Sequence, residues 1–99
     1  METKESYLKK MKGKFDDLNN KWNMERNNLE AKAQQAKAEV KKKFEEQLKS
    51  LQETREKMRQ KLDQVDNASE DAWKDIKEKV DNAWQALNDA VKKVRSHFD

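Results

Sequence analysis

The apolar residues of this chain recur with the pitch of an α-helix from one end to the other. Leu8, Met11, Phe15, Leu18 and Trp22 open the series, and Leu29, Ala33, Ala36, Val40, Phe44, Leu48, Leu51, Met58, Leu62 and Val65 carry it on. Trp73, Ile76, Val80, Trp84, Leu87, Val91, Val94 and Phe98 complete it. With polar residues filling the few gaps, the mean step is about 3.6 residues, the period of a straight helix. No proline breaks the pattern and there is one glycine. The chain is therefore expected to be all-α, and its function to reside in a helical surface.

Only 33% of the 99 residues are hydrophobic while 43% are charged, too little apolar material for an ordinary compact core to offset the entropy of ordering. Long helices can concentrate what there is on one face. Disorder, the other outcome of such a composition, is disfavoured because the apolar residues are large and periodic. Without cysteine there is neither a disulfide framework nor thiol chemistry. The longest apolar runs are two residues, so neither a membrane span nor a signal-peptide core is expected, and the expected location is cytoplasmic.

Thr3 is placed to cap the first helix. Gly13 lies where the stripe continues in phase, so it reads as a tolerated weak point rather than a turn. Residues 8–22 and Leu29 follow heptad spacing, whereas Ala33, Ala36, Val40, Phe44 and Leu48 step by three and four, which unwinds a supercoil towards straight helices. Two segments could bend: the asparagines around Trp22 (Asn19, Asn20, Asn23, Asn27, Asn28) and the polar run Asp66 to Asp71. In the second, Ser69 can cap a helix whose first turn carries Glu70 and Asp71, the favourable charge for an N-terminus.

The favoured arrangement is a single domain over residues 1–99 with a helix over about 4–65, a turn over about 66–69 and a second helix over about 69–98. At about 1.5 Å per residue the arms would be roughly 93 and 45 Å long. This is a long antiparallel helical hairpin, a coiled coil with unequal arms, expected to assemble into a multi-helix bundle. Its core would contain Phe44, Leu48, Leu51, Leu62, Trp73, Ile76, Val80, Trp84, Leu87, Val91 and Phe98. Residues 72–82 (AWKDIKEKVDN) and 83–93 (AWQALNDAVKK) form an internal repeat. Eleven residues are almost three turns, so both copies present the same face.

The short arm cannot cover everything. Phe15, Leu18, Trp22 and Leu29 form a self-association seam in this arrangement, so a homo-oligomer, dimer or higher, or another protein partner is expected there. The competing arrangement is a three-helix fold bent also near Asn27-Asn28, whose first helix covers its own neighbours. For function, the leading expectation is a non-catalytic structural or protein-interaction module. The alternative is a peripheral binder of membranes or hydrophobic surfaces through the repeat face, although Asp75, Glu78, Asp81 and Asp89 dilute the basic character that anionic lipid selects.

Lys9, Lys10, Lys12, Lys14 and the run Lys41 to Lys43 are basic patches, but carboxylates stand four residues from several lysines: Asp17 and Lys21, Glu39 and Lys43, Glu53 and Lys57, Asp75 and Lys79. That is the pattern of a solvated helix, and nucleic-acid binding is not favoured. His97 is the one histidine, with no convincing set of fellow ligands, so no metal or other cofactor is expected. Neither a nucleophile–base pair nor a glycine-rich phosphate loop is present, so no catalytic residue is assigned and no enzyme is expected.

Three segments, ESYLKKMKGKFDDLNNKWN, LEAKAQQAKAEVKKKFEEQLKSLQETREKMRQKL and ASEDAWKDIKEKVDNAWQALNDAVKKVRSHF, span nearly the whole chain. Through them the chain resembles small uncharacterised bacterial coiled-coil domain-containing proteins, some associated with stress responses. The last segment, with its two Ala-Trp pairs and Phe98, is the most specific. What the resemblance implies is a cytoplasmic helical protein without known catalysis; it transfers no site residues.

Overall fold

The structure, a computed structural model, describes residues 2–96. Three α-helices follow one another: α1 (Lys4–Gln34), α2 (Ala38–Asn67) and α3 (Trp73–Ser96). They lie side by side in a bundle whose extents are 51 × 19 × 18 Å, about the length of one 31-residue helix.

α1 begins at Thr3 as its sequence predicts, with a reciprocal cap. Thr3 Oγ1 accepts from the Ser6 backbone N–H at 3.1 Å, and Ser6 Oγ accepts from the Thr3 backbone N–H at 3.1 Å. The asparagines around Trp22 do not bend it. Gly13 lies within α1, exposed, with nothing within 4 Å of where a Cβ would be, so no neighbouring helix requires it.

The helix expected over 4–65 is two helices, and this corrects the unequal hairpin. The break falls at residues 35–37, neither at Asn27-Asn28 nor at any glycine. The last turn of α1 tightens, with the Gln35 N–H donating to Lys32 O at 3.2 Å and the Ala36 N–H to Ala33 O at 3.1 Å. Lys37 then turns extended (φ −61°, ψ 150°), and its carbonyl accepts the first bond of α2 from the Lys41 N–H at 3.0 Å. No side chain caps α2, so nothing local marks the turn; what it gains is coverage of α1 by the other two helices.

The second break lies where the polar run predicts one. Ala68 is extended, Ser69 Oγ accepts from the Ala72 N–H at 3.2 Å, and the Trp73 N–H donates to Ser69 O at 3.1 Å. α3 therefore starts at Trp73, one turn beyond the cap. At this end the ammonium of Lys4 donates to the carbonyls of Asp66 (3.2 Å) and Ala68 (2.9 Å), a cation placed where α2 leaves carbonyls unpaired.

One core runs the length of the bundle: Tyr7, Leu8, Met11, Trp22, Leu29 and Ala33 from α1; Phe44, Leu51, Met58, Leu62 and Val65 from α2; Trp73, Val80, Leu87, Val91 and Val94 from α3. α2 and α3 share the most extensive interface. α1 packs mainly on α2 and meets α3 sparsely. Among the described residues none of the lysine–carboxylate pairs spaced four apart, Lys41–Glu45 and Lys42–Glu46 included, forms an ion pair. The ion pairs within helices there are Arg26–Glu30, Arg59–Glu56 and Arg59–Asp63.

Candidate binding groove between α1 and α3

α1 and α3 run parallel and are joined at two levels by polar ties. At the first, Tyr7 is 1% exposed, stacked at 5.6 Å and 33° on Trp73, and its hydroxyl donates to Asp81 Oδ1 at 2.8 Å. The ammoniums of Lys10 and Lys77 lie 5.3 and 5.4 Å from the Tyr7 ring centroid, and both pair with Glu2, at 3.0 and 2.7 Å. Burial, reinforced by the hydrogen bond to Asp81, raises the Tyr7 pKa well above the usual phenol range. Hydrogen bonds from Lys77 and Lys10 hold the Glu2 carboxyl below its usual range.

At the second level the Arg95 guanidinium grips Glu25 with both arms, Nε to Oε2 at 2.5 Å and an Nη2 donor to Oε1 at 2.7 Å. Between the ties the two helices stand apart, and a cavity of about 380 Å³ opens along them. Half-buried Leu18 and Trp84 form most of its apolar surface, with the nearly buried Trp22 and Val91 behind them; Lys14, Lys21, Lys92 and Arg95 bring positive charge to it. Asp17 is its one acid, and Asn88, whose amide donates to the Trp84 carbonyl at 3.0 Å, completes the α3 wall.

The charge is not internally balanced. Arg95 is occupied by Glu25, but Lys14, Lys21 and Lys92 form no ion pair among the described residues. Four cations against two carboxylates, Asp17 and the Glu25 held by Arg95, leave a positive excess at which an anion with an apolar body would exchange water for both kinds of contact.

The residues singled out from sequence distribute unevenly around this groove. Of the seam, Trp22 and Leu29 are buried by the chain's own helices at 2% and 7% exposure, while Phe15 and Leu18 are partly buried against the core. The projecting apolar stretch from which an additional chain was expected is thereby largely covered. Of the hairpin core, Phe44, Leu51, Leu62, Trp73, Val80, Leu87 and Val91 are buried, and Leu48, Ile76 and Trp84 are half-buried against them. Phe98 and His97 lie outside the described residues. Only Leu18, Trp22, Trp84 and Val91 of these face the groove; Tyr7, Glu25, Asn88 and Arg95 were not foreseen. Helical spacing alone could have flagged part of it, since Lys14, Leu18 and Lys21 share a face of α1 and Trp84, Asn88, Val91 and Arg95 one of α3.

Among the described residues no group of three or more His, Cys, Asp or Glu could hold a metal ion, and no helix is long and apolar enough to cross a membrane. No protein-family model, curated protein or solved structure matches the chain.

Proposed function

We propose that this chain is a non-catalytic binding module, a three-helix bundle that holds an anionic partner with an apolar surface along the α1–α3 groove. The observation that carries the reading is the pairing of an apolar floor, Leu18 and Trp84 backed by Trp22 and Val91, with three lysines that form no ion pair among the described residues. A groove of this size is ordinary for a small ligand or for one or two side chains of a larger partner.

The probe that tests it is 1-anilinonaphthalene-8-sulfonate, an aromatic anion whose emission rises and shifts to the blue out of water. Saturable binding, with energy transfer from tryptophan, is the expected result. Leu18→Glu, which sets a carboxylate on the groove floor at a half-buried position, abolishes it while the near-ultraviolet circular dichroism stays native. Binding that is absent, or indifferent to Leu18→Glu, overturns the reading.

A second reading rests on the sparse meeting of α1 with α3. If α1 swings away on α2, the residues of the repeat face turned towards α1 (Trp73, Trp84 and Val91) become free to lie on a lipid or other hydrophobic surface, while the rest of that face stays against α2. Flotation with vesicles of equal phosphatidylcholine and phosphatidylglycerol, accompanied by a tryptophan blue shift, is its signature; its absence removes this reading.

A further inference from the structure

The shape and charge of the groove narrow what it takes. We infer that its ligand is a free, single-chain aliphatic anion, a medium-length fatty carboxylate bound as a monomer, with its head at the Arg95 end; this rests on the groove being the binding site proposed above.

The cations are not spread evenly. Lys21 stands one turn before Glu25 on α1, and Lys92 three residues before Arg95 on α3, so both gather where the Glu25–Arg95 tie closes the groove. The carboxylate group belongs there. Arg95 is already neutralised by its grip on Glu25, which leaves the two lysines to meet the incoming charge. From that end Leu18 on one side and Trp84 on the other, backed by the nearly buried Trp22 and Val91, lead away along both helices past Asp17 and Asn88.

Length follows from helix geometry. From Trp22 back to Lys14 the helix rises about 12 Å, the span of an extended chain of roughly ten carbons. Beyond Lys14 the way is blocked, because Met11 and Tyr7 are buried in the core and Tyr7 ties α1 to α3. A cavity of about 380 Å³ has room for one chain of this length and not for a two-chain lipid. A cationic surfactant of the same chain would meet the lysines with the wrong sign.

The experiment is calorimetric titration of the protein with sodium decanoate, well below the concentration at which it forms micelles. One-site binding is expected, with affinity rising with chain length to about ten carbons and then levelling. Decyltrimethylammonium, which has the chain without the negative charge, and acetate, which has the charge without the chain, give no comparable signal. The paired substitution Lys21→Glu and Lys92→Glu, both at exposed positions, weakens decanoate binding by at least about tenfold, and Lys14→Glu by less.

Decanoate that fails to bind while the anilinonaphthalene probe still enters the groove overturns the ligand assignment and leaves the binding module standing. Failure of both removes the module as well. Equal binding of decyltrimethylammonium, a larger loss at Lys14 than at the lysine pair, or binding to phosphatidylglycerol vesicles without binding to monomeric decanoate each overturns the inference.

Discussion

Tyr7 on α1 donates its phenolic proton to Asp81 on α3 at 2.8 Å, and this bond crosses between two helices that otherwise meet sparsely. The donor is buried while the acceptor residue is exposed, so the partners would respond differently to loss of the bond. Tyr7→Phe keeps the ring on Trp73 and leaves a carboxylate that water can reach. The expected cost is about 1 kcal/mol in a denaturant titration. Asp81→Ala leaves the buried hydroxyl the Lys77 carbonyl at 3.3 Å as its remaining acceptor and should cost no more than Tyr7→Phe.

The same residue makes the fold sensitive to alkali. Its folded-state pKa is raised, so the stability it contributes is complete below the ordinary phenol range near 10 and declines as pH rises above it. Tyr7 is the chain's one tyrosine, so tyrosinate absorbance near 295 nm reports it alone. At about pH 11 that signal should still be small while the far-ultraviolet spectrum is helical, and the two should change together at higher pH.

Gly13 is a removable weakness. A Cβ there meets nothing within 4 Å, and the residue lies well inside α1. Gly13→Ala should stabilise by roughly 0.5–1 kcal/mol through reduced freedom of the unfolded chain and better helix propensity. A rise of several degrees in melting temperature is the readout, and a fall would mean that the site is packed in solution.

Asn19 carries a different cost. Its side-chain oxygen is buried without a hydrogen-bond partner, in the cleft where Phe15 of α1 faces Arg55 and Gln52 of α2. Asn19→Leu removes the unmet acceptor at similar volume and should raise stability by about 1 kcal/mol, measured by chemical denaturation.

Trp22 is covered by its own chain, so Trp22→Ala should cost about 3–5 kcal/mol of folding stability as a core truncation. The melting temperature of the parent protein should also be unchanged on dilution. A melting temperature that falls with dilution would instead locate part of the burial between chains.

How much of this was legible in sequence depended on whether a feature was local. Thr3 and Ser69 carry their cap chemistry in their own side chains, and both were readable. The turn at residues 35–37 has no such mark: glutamine, alanine and lysine are good helix formers, and Ala33, Ala36 and Val40 keep the stripe in phase across the break. The turn is set by the gain from laying Trp22 and Leu29 against α2 and α3, a long-range quantity that a periodic pattern does not encode. The groove was hidden for the same reason. Lys21 and Trp84 belong to one site only once α1 lies beside α3, an arrangement that a rod of 62 residues excludes. The asparagine cluster around Trp22, the less favoured of the two bend sites, remains helical throughout.

Lys4, the first residue of α1, reaches across 64 positions of sequence to the carbonyl of Ala68, and with it to Asp66. The start of the first helix is thus the clasp on the turn between the other two. A chain of amphipathic helices with so little apolar substance would otherwise be free to come apart piece by piece. With the clasp, fraying of the first turn and loosening of the last hairpin become a single event, and the bundle gains at one corner the cooperativity that its thin core supplies only weakly.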